Sequence, residues 1–153
     1  MKKILLTLAL ALTCCWASAT NADDLFNKYK DAENAQYMNL PQEMLKMAMA
    51  QNPNASDNKV AEKISSLDIL QFEKPDDATI TQVMDMVNDF DDTYEELIRN
   101  NGDGETVIIK MKRNGENYSE MVVFQADADE CAVVRMCGNF NPEELNELSK
   151  MGM

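Results

Sequence analysis

Apolar and polar residues alternate most regularly over residues 105–140, ETVIIKMKRNGENYSEMVVFQADADECAVVRMCGNF. A period of two predicts β-strands, and two clusters of turn-forming residues divide this stretch into three. Residues 94–100 predict one more strand ahead of it. Together they predict an antiparallel meander over 94–138, in an α+β domain whose sheet has four or more strands with helices packed on one face.

The two turns set the expected strand register. Residues 113–115, Arg-Asn-Gly, form a three-residue hairpin signal with glycine at the left-handed position. This loop pairs Lys112 with Glu116. In the second hairpin we expect Gln125 to pair with Glu130.

In this register, one face of the meander is apolar throughout, and we expect it to be the core. A one-residue slip would send every side chain to the other face, so the apolar pattern itself favours this arrangement. The expected core residues are Val107, Ile109, Met111, Met121, Val123, Ala132, Val134 and Met136.

The opposite face is less polar than a solvated sheet face normally is. Two interpretations remain open: the 67–72 region or an early helix covers it, or it contacts a partner, either another protein or a second copy. Glu120 is expected opposite Arg135, as a cross-strand ion pair. The candidate partner patch consists of Ile108, Val122, Phe124 and Val133, flanked by Glu120 and Arg135.

The flanking segments predict helices and two further strands. The clearest helix covers 77–90, where apolar residues recur with helical spacing. Strands are expected at 36–40 and 67–72. The other predicted helices are 23–30, 41–51 with Leu45, Ala48 and Met44 buried, one capped by Ser56 with Val60, Ala61 and Ile64 inward, and a last one capped by Asn141 with Leu145 and Leu148 inward.

The first residues have the features of a bacterial secretory signal peptide. A positive start precedes an apolar run over 4–12 and a small-residue cleavage site at 17–19. We expect residues 1–19 to be the signal peptide, with cleavage after Ala22 as the next choice, and 23–153 to form a single domain. Lipidation at Cys15 is the less favoured alternative, because the residue before such a cysteine is usually small.

Composition limits the possible chemistry. Without Lys2 and Lys3, 12 basic residues remain against 27 acidic ones, a net charge of about −15. Such a surface repels nucleic acid and anionic lipid headgroups, and the mature chain has no apolar stretch long enough to span a membrane. The chain also contains no histidine, which excludes histidine-based catalytic triads and histidine-ligated zinc. An enzyme would have to rely on carboxylates.

The sequence suggests two metal sites and one disulfide, and each suggestion meets an objection. The acidic stretches 101–105 and 127–130 suggest calcium, but hairpin turns also explain them, and an EF-hand alignment fails at its first and last ligands. The many methionines suggest copper(I), although most fall on expected core faces. Cys131 and Cys137 lie six residues apart on one strand, about 20 Å, which is too far for a disulfide.

The order of elements resembles a known family. The signal peptide, the Phe26/Tyr29 helix, the SLDIL strand at 66–70, YEEL at 94–97, the VIIKMKRNGE hairpin and the closing GNF at 138–140 are similar to the domain of unknown function family 4252, exported proteins of Bacteroides-type bacteria. The resemblance implies an envelope protein and brings no activity, cofactor or site residue.

We therefore expect a non-catalytic binding or interaction module of the bacterial envelope, exported to the periplasm or envelope surface. No catalytic, cofactor-binding or metal-binding residue is assigned. The alternatives are a carboxylate-based envelope enzyme and a metal-binding protein that uses Met, Cys or acidic residues. A concave pocket with converging acids would favour the enzyme.

Overall fold

The computed structural model describes residues 20–51 and 61–151. It is an α+β fold built on one antiparallel sheet, as the sequence predicts, with strand order β1-β2-β6-β5-β4-β3. The elements are α1 Ala22–Tyr29, β1 Ala35–Pro41, α2 Gln42–Ala50, a 3-10 turn Ala61–Lys63, β2 Ile64–Glu73, α3 Asp77–Asn88, β3 Tyr94–Gly102, β4 Glu105–Asn114, β5 Asn117–Ala126, β6 Glu130–Phe140 and α4 Pro142–Met151. The signal-peptide and Cys15 predictions lie outside the described residues.

The expected meander is present, but its first turn is shorter than predicted. Asn114 pairs with Asn117, so the loop has two residues, and Gly115 has a φ of 65°. A bulge between Lys112 and Arg113 then shifts the pairing, and Lys112 lies opposite Glu120 instead of Glu116. The observed pairing differs from the expected one by four residues. Because side chains alternate between the two faces with a period of two, an even shift leaves the side chains on the faces where they were expected.

The second hairpin is offset by two residues. Gln125 pairs with Ala132 instead of Glu130. The cause is the turn: the Asp127 carboxylate accepts hydrogen bonds from the backbone N–H groups of Asp129 and Glu130, both at 2.8 Å. Such an Asx turn fixes the loop geometry independently of the strands. Residues 127–130 therefore form a hairpin turn, which is the explanation that the sequence analysis gave as the alternative to a calcium site.

Capping residues begin three of the helices. Asn21 and Asp24 form a reciprocal capping box at α1, and Asp76 caps α3 by accepting from Thr79 N at 2.7 Å. At α4 the predicted box is confirmed: Glu144 N donates to Asn141 Oδ1 at 2.9 Å, and Asn141 N donates to Glu144 Oε2 at 3.1 Å.

The main core lies on the sheet face that carries the even-numbered residues of β4 and β5, called here the inner face. Helices α1 and α3 pack on it, which confirms the buried stripe of the predicted 77–90 helix. The expected core face is therefore wrong, since it is the opposite, outer face. The main core contains Ala22, Leu25, Phe26, Tyr29, Leu70, Phe72, Val83, Val87, Phe90, Tyr94, Ile108, Val122, Phe124, Ala126, Cys131 and Val133.

Of the eight residues expected in the core, Met111 alone is fully buried. It belongs to a smaller cluster at one end of the outer face, with Tyr118 and Phe140. Leu145 of α4 packs against this cluster, as predicted for the last helix. Helix α4 therefore covers one end of the outer face.

Two helix predictions need correction. Ile64 begins β2 instead of ending a helix that starts at Ser56, a position outside the described residues. Helix α2 has the expected position but no buried residue. Met44, one of its three expected buried residues, is 48% exposed.

Candidate binding surface

The sheet face proposed from sequence as a partner patch is internal. Ile108, Val122, Phe124 and Val133 are all 0% exposed, beneath α1 and α3. Of the two interpretations left open, the structure shows cover by the chain itself, with the early helix supplying part of it. These four residues form core, and a partner cannot reach them in the folded protein.

The two charged residues of that patch do not pair across the strands. Glu120 lies opposite Cys137, and Arg135 lies opposite Asp68 of β2. Arg135 Nη2 is 2.9 Å from Asp68 Oδ2, and its Nη1 pairs with Asp23 of α1. The Tyr94 hydroxyl donates to Glu120 Oε1 at 2.9 Å. The expected Glu120–Arg135 ion pair is therefore wrong, because both residues are satisfied by segments distant in sequence.

The environment of these groups shifts their ionisation. Burial raises the pKa of Glu120. Burial opposes ionisation of Asp68, but hydrogen bonds from Tyr37 and Asn39 and the neighbouring Arg135 outweigh it and lower the pKa of Asp68. Burial, followed by Asp68, raises the pKa of Tyr37 to about 12. These groups tie α1, β1 and β2 to the inner face, and their chemistry is structural.

The outer face carries an unbroken apolar row, which we call the first apolar row. It runs across all six strands, perpendicular to them, through successive cross-strand pairs. Its end members are exposed, Met38 by 54% and Ile98 by 40%, and the four between them are half-buried. The row consists of Met38, Ile69, Val134, Val123, Ile109 and Ile98.

A second apolar row lies beside the first, two residues along each strand towards α4. The second apolar row consists of Leu40, Leu67, Met136, Met121 and Met111, and Glu95 ends it on β3. The alternation in the sequence predicted an apolar face on β4, β5 and β6, which was expected to be the core. The extension of this face over β1, β2 and β3 depends on strand pairing that no local pattern reveals.

On the other side of the first apolar row, the face becomes polar in two steps. An amide row comes first: Gln36, Gln71, Ala132, Gln125, Val107 and Asn100. An acidic row follows at the strand ends, consisting of Glu73, Glu130 and Glu105. The Gln36 and Gln125 amides donate to Glu73 and Glu105, which places these carboxylates on the outer face.

A depression of about 530 Å³ opens at the end of the acidic row on β2 and β6. Its lining includes Glu73, Lys74, Asp129 and Glu130. This is the concave, acid-lined site that an enzyme would require. All three carboxylates are exposed to solvent. Burial is what usually shifts the pKa of a carboxyl group towards the range used in acid–base catalysis, and these three carboxylates are not buried.

Three further features expected from the sequence concern the cysteines, a metal site and a membrane-spanning helix. Cys131 and Cys137 both lie on β6 and are free thiols, as predicted. Within residues 20–51 and 61–151, no group of three or more Cys, Asp or Glu residues is placed to hold a metal ion. In the same part of the chain, no helix is long and apolar enough to cross a membrane.

The fold and surface define a class: a single α+β sheet with helices α1 and α3 on its inner face and an apolar outer face. A family model described as a domain of unknown function (DUF4252) matches residues 29–148. The chain belongs to this family, as its resemblance implied. No curated protein and no solved structure matches it.

Proposed function

We propose that this protein is a non-catalytic binding module of the bacterial cell envelope, which binds another protein through its outer sheet face. The observation that carries the proposal is the first apolar row, which continues over all six strands and is exposed at both ends. Helices α1 and α3 bury the inner face, and α4 covers one end of the outer face. Among the described residues, the first apolar row is therefore the apolar part of the sheet left for a partner.

The size of the surface supports this role. Strands about 4.8 Å apart make the first apolar row about 24 Å long. The second apolar row adds to this surface only in part, because Met111 is fully buried in the cluster that α4 covers. The largest contiguous apolar patch on a monomeric protein, usually about 300–600 Å², is often a functional site. In a chain that is 27% charged, Glu95 is the single ionisable residue in the two rows, and it lies at the far edge.

The proposed compartment rests on the sequence. The signal-peptide pattern over residues 1–19 favours export, and the excess of acidic residues suits a soluble protein that anionic headgroups repel. The module would therefore meet its protein partner in the periplasm or at the envelope surface, without binding the lipid directly.

Site-specific photo-cross-linking in the intact bacterium tests the proposal. A photoreactive phenylalanine derivative replaces Val123 in the centre of the first apolar row. The control carries it at Met47 on α2, a residue that is more exposed at 60%. We expect a discrete cross-linked product from position 123 and none of that size from position 47.

The cross-linked product also decides between the occupants. A heteromeric product that disappears when Val134→Thr is added supports the proposal, because that change weakens the apolar row at low cost to an outward position. A product of twice the chain mass would instead identify a second copy. Absence of any product at position 123 would contradict a binding role for this face.

A further inference from the structure

The outer face is polarised in a way that binding of a purely apolar partner does not require. Across the sheet, the order runs from the apolar rows through the amide row to the acidic row, whose three members lie on β2, β4 and β6. At about 6.7 Å for each step of two residues, the acidic row lies about 13 Å from the first apolar row. The surface therefore has one apolar side and one acidic side.

The acidic row is internally unfavourable. Glu73 and Glu130 lie directly opposite each other on β2 and β6. Like charges in this position destabilise a sheet. Among the described residues, no Lys or Arg side chain forms an ion pair with Glu73, Glu105 or Glu130. Lys74 lines the depression beside Glu73 and Glu130 but forms no ion pair with them, so a cation from outside would relieve this repulsion further.

We propose that the partner segment is apolar on one side and carries Lys or Arg along the adjacent flank, as a cationic amphipathic helix does. This inference rests on the proposed function, since it uses the same outer face. A helix about 10–12 Å wide, seated on the first apolar row, has its axis about 13 Å from the acidic row, so extended basic side chains on that flank point across the amide row towards the carboxylates. Six strands offer a track of about 24 Å, which about 16 helical residues span.

Electrostatics distinguishes this occupant from the alternatives. A second copy of the mature chain would bring another net charge of about −15 and a second acidic row, so self-association gains no charge complementarity. An anionic lipid surface is repelled for the same reason. The depression between Glu73 and Glu130 adds a cavity of about 530 Å³, where a basic side chain can lie between the two carboxylates.

Two synthetic peptides of about 16 residues test the proposal. They share one pattern of leucines on a helical face and differ in the flank, which is Lys in one and Glu in the other. Fluorescence anisotropy measures their binding to the mature protein. We expect the native protein to prefer the Lys peptide by about tenfold, and added salt to reduce this preference.

Three variants localise the effect. Glu73→Gln with Glu130→Gln removes two charges from the acidic row, and we expect it to weaken Lys-peptide binding about fivefold, as two rim ion pairs can supply. Asp92→Asn with Glu116→Gln removes the same charge from exposed loops at the opposite end of the sheet. This control should change binding less than about twofold. Val123→Thr with Val134→Thr tests the apolar rows at constant charge.

Each outcome has a distinct meaning. Loss of binding by the threonine variant together with the acidic-row variant, but not by the control, is the expected result. If the two charge variants weaken binding equally, attraction is nonspecific and the inference is overturned. If the threonine variant reduces binding and the Glu peptide binds as tightly as the Lys peptide, the outer face still binds but its partner is not basic. If the threonine variant changes nothing, the proposed function itself fails.

Discussion

Asp68 and Arg135 lie directly opposite each other on β2 and β6, with Arg135 Nη2 2.9 Å from Asp68 Oδ2. Both side chains are largely buried, at 3% and 14% exposure. The guanidinium also lies over the Phe26 ring, with its carbon 4.8 Å from the centroid, and pairs with Asp23 of α1. One arginine therefore joins the central sheet to an inner-face helix.

Asp68→Asn should destabilise the protein by about 3 kcal/mol at neutral pH, because removal of one partner leaves a buried charge poorly compensated. Asp23→Asn is the matched control. Asp23 is 71% exposed, so its loss should cost less than about 1 kcal/mol. Urea unfolding of both variants measures the difference, and equal costs would contradict the central role of the Asp68 pair.

The pKa of Asp68 is lowered in the fold, so its contribution to stability is present above the unfolded pKa and is lost as pH falls through the folded value. The stability gap between the native protein and Asp68→Asn should therefore shrink on acidification. A gap that is constant down to about pH 2 would show that lost packing, not lost charge, causes the effect.

Phe124 is fully buried on the inner face, and Val123 points outward on the same strand. Phe124→Ser should cost about 3 kcal/mol or more, as other emptied aromatic sites do. Val123→Thr should cost less than about 1 kcal/mol, as most changes at outward-facing positions do. Thermal melting of the two variants tests which face is the core. The reverse ranking would support the face that the sequence pattern favoured.

The stability ranking of these two variants tests the feature that the sequence predicted wrongly, the choice of core face. Strand positions, the meander and the sharing of faces were predictable, because period-two alternation is local. Which of the two faces forms the core was not predictable in this way. The inner face carries the charged residues Lys110, Glu120 and Arg135, and the partners that allow their burial come from distant segments. The Lys110 ammonium lies 3.4 Å from Asn88 O at the end of α3, and the Tyr94 hydroxyl reaches Glu120.

The proposed binding surface could not be predicted from the sequence for the same reason. An apolar sheet face indicates a core or an interface, and local sequence does not distinguish them. The distinction depends on where α1 and α3 pack: α1 brings Phe26 and Tyr29 to the inner face, and α3 brings Val83 and Val87. The acidic row was also unpredictable, because its alignment of Glu73 with Glu130 follows from the pairing of β2 with β6, strands far apart in the chain.

The contribution of Glu120 to stability should depend on pH in the opposite direction to that of Asp68. Burial raises its pKa in the fold, so its favourable contribution is present below the unfolded pKa and is lost as pH rises through the folded value. Glu120→Gln keeps an acceptor for Tyr94 without the buried charge. We expect a higher melting temperature than the native protein at about pH 7 and no difference near about pH 3. A lower melting temperature at pH 7 would contradict this account.

Burial also predicts the reactivity of the thiols. Cys131 is fully buried, and burial raises its pKa to about 11, whereas Cys137 is half-buried. In the native protein an alkylating reagent should therefore label Cys137 faster than Cys131, since the thiolate is the reactive form. Denaturation without reductant should expose both. A mature monomer about 2 Da lighter than its reduced form would reveal a disulfide.

The last prediction concerns the first residue of the exported protein. Thr20 bridges the loop after α3, since its N–H donates to Asp89 O at 3.1 Å and its carbonyl accepts from Asp91 N at 2.9 Å. Cleavage after Ala19 preserves this contact. Cleavage after Ala22 would remove it together with the Asn21 cap of α1, at a cost of about 1 kcal/mol for the cap alone.

These contacts favour Thr20 as the first residue, and intact-mass measurement of the exported protein tests this. A chain engineered to begin at Asp23 is the comparison, and it should melt at a lower temperature than one that begins at Thr20. A natural product that begins at Asp23, or at a lipid-modified Cys15, would contradict the prediction. The second result would also place the module on the membrane surface, because the acyl chains would anchor it there.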